Sequence, residues 1–191
     1  MTLIDFILSR RSIRQFKPDP LPRDILLGLV DAARMAPSAA NLQPLEFILV
    51  TDEAIRKSVF PCLRWAAYIA PGGNPRPGHE PTAYVVILVN TKIRDKGFER
   101  DAGAAAENLI LAAWTCGIGS CWVISVDRSP LQAILNIPET YSIDSVIALG
   151  YPDESPVVED LTDSVKYWKD ESGRLHVPKR KRTEVIHFDT F

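Results

Sequence analysis

Apolar positions recur along this chain with two different periods, and the switches between them outline its elements. Leu3 to Leu8 carries apolar residues at helical spacing and runs directly into a cluster of charge. Pro18, Pro20 and Pro22 then interrupt the pattern. Pro22 suits the start of a second helix, where its missing N–H costs nothing. Ile25, Leu26, Leu29, Val30 and Ala33 mark one face of that helix between Ile25 and Met35, and Pro37 ends it.

The period then shortens. Phe47-Ile48-Leu49-Val50, within Glu46 to Thr51, predicts a strand. Val85-Val86-Ile87-Leu88-Val89, within Tyr84 to Asn90, predicts a strand buried on both faces. A helix is expected between them, followed by the loop Pro71-Gly72-Gly73-Asn74-Pro75-Arg76-Pro77-Gly78. That loop has the length of a lid or a binding rim. Arg100 to Cys116 predicts the longest helix, apolar nearly all round and therefore buried. Its small residues, Ala102 to Ala106, permit close approach of another backbone. Gly117 and Gly119 end it. Further strands are expected at Ser120 to Val126 and Val146 to Leu149, joined by a short helix from Ser129 to Leu135.

After Gly150 the pattern reads as irregular, with Pro152, Pro156 and a run from Ser164 to Lys169. The apolar end, Val185-Ile186-His187-Phe188, is expected to pack on something, a partner subunit being the natural candidate. Strands interleaved with helices imply a layered α+β sandwich, and 191 residues suit one domain spanning 1–191.

Composition narrows the class. A hydrophobic fraction of 46% and a charged fraction of 24% are ordinary for a soluble globular chain. No apolar stretch approaches the roughly 20 residues that cross a bilayer, and no secretory cleavage pattern is visible. Cys62, Cys116 and Cys121 make neither a disulfide framework nor a metal grouping, and Cys116 and Cys121 read as small buried thiols. The expectation is a cytoplasmic protein with no membrane attachment. Twenty-two Lys and Arg against 24 Asp and Glu, a net charge of −2, argue against nucleic acid as a partner.

Within that near-neutral balance, cations concentrate in two tracts. One is Arg10-Arg11-Ser12-Ile13-Arg14 and the other Lys179-Arg180-Lys181-Arg182. Short tracts, one with a hydroxyl, suit a small anionic group such as a phosphate gripped from both ends of the polypeptide. Charge pattern alone favours two solvated patches.

Conventional catalytic patterns are absent. His79, His176 and His187 are scattered, so no metal site is expected. There is no nucleophile elbow and no Walker loop. Gly117-Ile118-Gly119-Ser120 follows a helix and precedes a strand, the reverse of the dinucleotide fingerprint's order. A cofactor that brings its own chemistry then becomes attractive. The loop Ala36-Pro37-Ser38-Ala39-Ala40-Asn41-Leu42-Gln43-Pro44 offers a hydroxyl and amides between stiffening prolines, suited to a heterocycle edge or a polyol. It also reads as an ordinary helix-ending loop.

Together these segments resemble the nitroreductase-like family of FMN-dependent NAD(P)H oxidoreductases. Arg10 to Arg14 resembles the family's R-R-S-x-R motif, and Ala36 to Pro44 its A-P-S-x-x-N-x-Q-P loop. Asp101 through Asn108 to Ala113, with Gly117-Ile118-Gly119 and Cys121-Trp122, resembles its central helix and glycine turn. Ala148-Leu149-Gly150-Tyr151-Pro152 and Lys179-Arg180-Lys181 complete the order. Each motif alone is weak, but five in register across the chain are strong.

The resemblance implies an α-β-α sandwich with a mainly antiparallel central sheet, in an intertwined homodimer with FMN at the interface. It implies that Arg10, Arg11, Ser12, Lys179 and Arg180 surround the FMN phosphate, with Arg14 near the flavin's pyrimidine end. Pro37, Ser38, Ala39 and Asn41 would reach the flavin from the second subunit. Backbone groups of Trp122, Val123 and Ile124 would line the ring and donate to N5. The implied reaction is a ping-pong shuttle of hydride from NADH or NADPH, through flavin N5, to a small acceptor such as a nitroaromatic or a quinone. A flavin-binding sensor or store without turnover is the alternative.

Arg64-Trp65-Ala66-Ala67-Tyr68 and the loop from Pro71 to Pro81 lie where the family varies most, and no familiar substrate signature stands there. Trp65 and Tyr68 are candidates to stack an aromatic substrate, or equally to pack the sandwich. Arg64, Arg76, His79 and Glu80 are candidates for a charged substrate, or for solvent.

Overall fold

The computed structural model describes residues 2–191. In order, the chain forms α1 (Leu3–Ser9), α2 (Arg23–Arg34), β1 (Leu45–Val50), α3 (Glu53–Val59), β2 (Ala83–Asn90) and α4 (Glu99–Thr115). Then follow β3 (Gly119–Val123), α5 (Arg128–Ile134), β4 (Tyr141–Gly150), β5 (Val157–Asp160), β6 (Trp168–Lys169) and β7 (Leu175–Lys179). The central sheet has the order β1-β2-β4-β3, every pair antiparallel.

A core covers each face of this sheet, and β2 shows why its sequence is apolar throughout. Ala83, Val85 and Ile87 face α2 and α4, together with Leu26, Leu29, Ala106, Leu109 and Leu149. Tyr84, Val86 and Leu88 face the other way, onto Ile13, Phe16, Val59 and Leu131. Two buried faces require apolar residues at every position. The result is a layered α-β-α sandwich.

α4 departs from the expected all-round burial. Ala102, Ala105, Ala106, Leu109, Ile110 and Ala113 are buried, while Glu107 and Asn108 are exposed, so it carries one wide apolar stripe. A Cβ on Gly103 would stand 3.8 Å from the Trp122 ring, so that small position serves the sheet rather than a helix. Cys116 caps α4 beyond its last buried turn and is exposed, contrary to the expected burial, whereas Cys62 and Cys121 are buried.

β4 is longer than its apolar run suggests. Its pairing with β2 jumps from Ser145 opposite Ile87 to Ile143 opposite Leu88, so Asp144 is an inserted bulge residue. The jump turns Ile143 to the same layer as Val146. Buried Ser145 meanwhile accepts a hydrogen bond from Trp122 Nε1 at 2.7 Å. β3 ends three residues earlier than expected, and Val126 instead forms an isolated bridge with Leu63.

The chain after Gly150 is not irregular. β5, β7 and β6 form a second sheet, with β5 parallel and β6 antiparallel to β7. Polar fastening replaces apolar periodicity there. His176 lies 3.0 Å from the Glu159 carboxylate and 3.1 Å from that of Asp170. The Trp168 ring stacks on His176 at 4.3 Å, and its Nε1 donates to Glu159.

α1 forms on local grounds. Thr2 and Asp5 make a reciprocal capping box, yet the helix buries none of its residues. Leu3, Ile4 and Leu8 are exposed, as are Val185, Ile186 and Phe188 near the other end. Among the described residues, no helix is long and apolar enough to cross a membrane.

Candidate cofactor site

The basic segment after α1 lies along the edge of β3. Ser12 bridges Ser120 in parallel register, and the Ile13 N–H donates to the Ser120 carbonyl at 2.8 Å. Ile13 and Phe16 turn into the core. Both need a bare α-carbon opposite: a Cβ on Gly119 would meet Ile13 Cγ1 at 2.8 Å, and one on Gly150 would meet Phe16 Cδ1 at 2.8 Å. In an extended segment, burying Ile13 directs Ser12 and Arg14 to the opposite side. Further fastening comes from Ser9, whose hydroxyl accepts from Trp114 Nε1 at 2.9 Å.

The three arginines differ in commitment. Arg10 Nε lies 3.8 Å from Glu107 on α4. Arg11 folds back to donate to the carbonyls of Leu8 and Arg10, and burial, aided by Arg10, lowers its pKa. Arg14 donates its backbone N–H to the Glu154 carboxylate and places its guanidinium over the Tyr167 ring at 5.4 Å. Its buried Nε has no hydrogen-bond partner. Beneath it, the Cys121 thiol is pushed up by burial, with Arg14 acting in the opposite direction.

Of the predicted ring-lining residues, Trp122 sends its side chain to the α4 layer and Val123 is buried. Ile124 is exposed, and the backbone from Ile124 onward lies past the last ladder pair, Val123 with Val146.

The proline-bracketed loop is locked from within. Ser38 Oγ accepts from the Gln43 N–H at 3.0 Å. Ala40, Asn41 and Gln43 have φ of 53°, 54° and 50°, the left-handed region that non-glycine residues enter only when held. The holder is Asp101, 4% exposed, whose Oδ1 accepts from the Ala39 N–H at 3.1 Å. Its Oδ2 accepts no hydrogen bond, with Arg94 3.7 Å away. A cavity of about 170 Å³ opens there, lined by Pro37, Ser38, Gln43 and Asp101.

The predicted residues do not all gather in one chain. The Ser38 loop sits at the start of α4, whereas Ser9 is fastened to Trp114 near its end, about 20 Å along the helix at 1.5 Å per residue. Lys179 ends β7 opposite Asp160, and Arg180 donates to the Glu184 carbonyl at 2.6 Å. Among the described residues, neither makes a hydrogen bond or ion pair with Arg10, Ser12 or Arg14.

The candidate substrate residues separate as well. Trp65 is 5% exposed and packs on Phe60, so it belongs to the core. Tyr68 is 55% exposed and meets Tyr167 at 5.0 Å between ring centres. Arg64 lies 3.6 Å from Asp127, His79 2.8 Å from Asp153, and Glu80 accepts from the Gly78 N–H. Arg76 is held by buried Gln15, which also donates to the Asn74 carbonyl, so Gln15 fastens the Pro71–Gly78 loop at two residues. No His, Cys, Asp or Glu cluster among the described residues could hold a metal ion.

Sequence reasoning overlooked Tyr167, Glu154 and the positioning role of Asp101. Asp101 alone had a signal, an acid facing the apolar stripe of its helix.

An antiparallel sheet between helical layers, edged by an arginine-rich strip, is the architecture of a flavin-type oxidoreductase fold. The nitroreductase family's sequence profile matches residues 7–151, and the chain belongs to that family of oxidoreductases. An Archaeoglobus fulgidus protein, provisionally named NADH dehydrogenase/NAD(P)H nitroreductase, is 31% identical over 156 residues, covering 78% of this chain and 84% of that one. The FMN-dependent nitroreductase of Clostridium difficile R20291 superposes with a TM-score of 0.73 at 25% identity, over 99% of this chain and 100% of that one. The NADPH:FMN oxidoreductase of Vibrio harveyi, complexed with NAD+, shares the fold with a TM-score of 0.70 at 22% identity, over 98% and 77% of the two chains.

Proposed function

We propose that this chain is an FMN-dependent oxidoreductase that takes hydride from NADH or NADPH and passes it to a small acceptor, a nitroaromatic or a quinone, in the cytoplasm. The carrying observation is Arg14, a half-buried side chain whose buried Nε–H has no partner and which shares the strip along β3 with Arg10 and Ser12. A buried donor left unmet calls for an acceptor from outside the chain. The carbonyl and ring nitrogen at a flavin's pyrimidine end supply one, and the residues present therefore fit the group.

When bound, FMN supplies reversible hydride transfer at N5. The protein's part is to bind and orient. Arg10 and Ser12, with Lys179 and Arg180, hold the phosphate through charge-assisted contacts. Arg14 holds the pyrimidine end and favours negative charge there. The backbone from Trp122 through Ile124 would line the ring, with N–H groups beyond the end of β3 available as donors to it. Pro37, Ser38, Ala39 and Asn41 come from a second copy of the chain.

Two observations support a homodimer: the separation along α4 of the Ser38 loop from the Arg10 strip, and the uncovered apolar residues of α1 and of the chain's end. An anaerobic titration of the FMN-loaded protein with NADH and with NADPH tests the reading. Loss of oxidised-flavin absorbance on mixing, restored by menadione or a nitroaromatic, is expected. Flavin binding without reduction would make the protein a sensor or store instead.

A further inference from the structure

A cavity of about 390 Å³ opens between α3 and the start of β2, a volume that suits a small molecule. None of its lining residues belongs to the strip along β3 or to the Ser38 loop. Helical spacing brings Glu53, Arg56 and Lys57 to one side of α3, and all three line the cavity. Glu80, Thr82 and Tyr84 line it from the chain entering β2, and Pro18, Phe60 and Pro81 supply apolar surface.

Two hydroxyls there stand alone. Thr82 is 8% exposed, and its Oγ1 has no hydrogen-bond partner. Its backbone N–H already fastens the segment by donating to the Leu149 carbonyl at 3.0 Å. Tyr84 is 1% exposed, and its hydroxyl also makes no hydrogen bond among the described residues. Buried polar groups in folded chains are almost always paired, so each such exception asks for a partner.

The charges are equally unbalanced. Lys57 and Glu53 satisfy each other at 2.6 Å, and both are exposed. Arg56 and Glu80 have no ion-pair partner among the described residues, each other included. Neutral groups fix both of them. Arg56 Nε donates to the Thr51 carbonyl at 3.1 Å and Nη1 to the Pro81 carbonyl at 3.0 Å, leaving Nη2. Glu80 Oε2 accepts from the Gly78 N–H at 2.8 Å, leaving Oε1. Burial raises the Tyr84 pKa, and Arg56 and Glu80 act on it in opposite directions, so both charges reach its hydroxyl.

From this juxtaposition we infer a second binding site, for a small zwitterion of the amino-acid class. Arg56 takes the carboxylate, Glu80 the ammonium, and Thr82 and Tyr84 hydrogen-bond between them. Opposite charges that line one cavity without pairing are joined by a molecule carrying both signs. A singly charged ligand would leave one of them partly desolvated and unpaired. The apolar lining suits an apolar side chain. The site lies outside the residues assigned to FMN, so it stands or falls independently of the oxidoreductase reading.

Calorimetric titration of the FMN-loaded protein with L-leucine, isocaproate and isoamylamine tests this. The last two are leucine without its ammonium and leucine without its carboxylate. Leucine is expected to bind roughly tenfold more tightly than either. Glu80→Gln keeps an oxygen for the Gly78 N–H and should bring leucine and isocaproate to near-equal affinity. Arg56→Gln should do the same for leucine and isoamylamine. Thr82→Val should weaken leucine binding without lowering the thermal midpoint of the ligand-free protein, because it removes an unpartnered hydroxyl. Equal binding of the three ligands by the wild-type protein, or no saturable leucine binding, would overturn the inference. So would a Glu80→Gln variant that keeps the preference for leucine over isocaproate. Leucine binding to the apo-protein that disappears on FMN loading would overturn it too, since the ligand would then sit on the strip along β3. A protein that takes up no FMN is titrated as it stands, and the same ratios decide.

Discussion

Ile13 fills the space that a side chain on Gly119 would need, with a Cβ there only 2.9 Å from Ile13 Cβ and 2.8 Å from its Cγ1. The contact lets the Arg10–Arg14 segment lie flush along β3, with Ser12 paired to Ser120. Gly119→Ala must push the strip outward, because Ile13 sits in a packed core with no room to retreat. The expected cost is about 1–3 kcal/mol, the usual range for overpacking, with weaker FMN retention. Gly28 is the internal contrast: exposed on α2, with nothing within 4 Å of an added Cβ. Gly28→Ala should stabilise by roughly 0.5–1 kcal/mol through helix propensity. Chemical denaturation of the two variants measures both, and equal effects would refute the packing argument.

Asp101 holds the Ala39 N–H within a loop that carries three left-handed residues. Asp101→Ala removes the acceptor and should cost about 1–3 kcal/mol, the range for a buried donor left unpaired. Asp101→Asn keeps an oxygen for that N–H and should cost less. Because the loop is assigned to the second subunit's flavin, FMN affinity should fall in the same order. Thermal melts and FMN titration of both variants check the ranking.

The His176 cluster gives the second sheet a pH window. The hydrogen bond to Asp170, first among its causes, raises the His176 pKa above its usual value near 6.5. That contribution is full below the unfolded value and disappears as pH rises through the higher folded one. Asp170 is held low by Ser172 and then His176, and Glu159 by Trp168 and then His176. Their contribution is present above the ordinary carboxylate range, near 4, and lost as pH falls through the depressed values. Amide protection of β7, corrected for intrinsic exchange, should therefore decrease as pH rises above the ordinary histidine value of about 6.5. His176→Gln should flatten that dependence; an unchanged profile would remove His176 as its cause.

The central sandwich was legible because its periods are strong. The unbroken apolar run of β2 and the spacing of Leu26, Leu29 and Ala33 on α2 each admit one placement. The second sheet was not, since strands of four, two and five residues carry no period and are joined through His176, Glu159 and Asp170. The site was half legible. Ser12 and Arg14 could be singled out from their motif, but Tyr167 could not be placed, because nothing local ties it to Tyr68. Trp65 illustrates the converse: an aromatic one residue from the exposed loop Ala66–Tyr68 is turned inward against Phe60.

The account rests on the strip along β3 binding FMN, and equilibrium titration of FMN into the apo-protein and its Arg10→Ala variant tests this most directly. The predicted result is saturable binding by the wild-type chain, weakened by about 1.5–3 kcal/mol in the variant, the range for a lost charged hydrogen bond. Equal affinity in the two proteins, or no FMN uptake by the wild type, would contradict it.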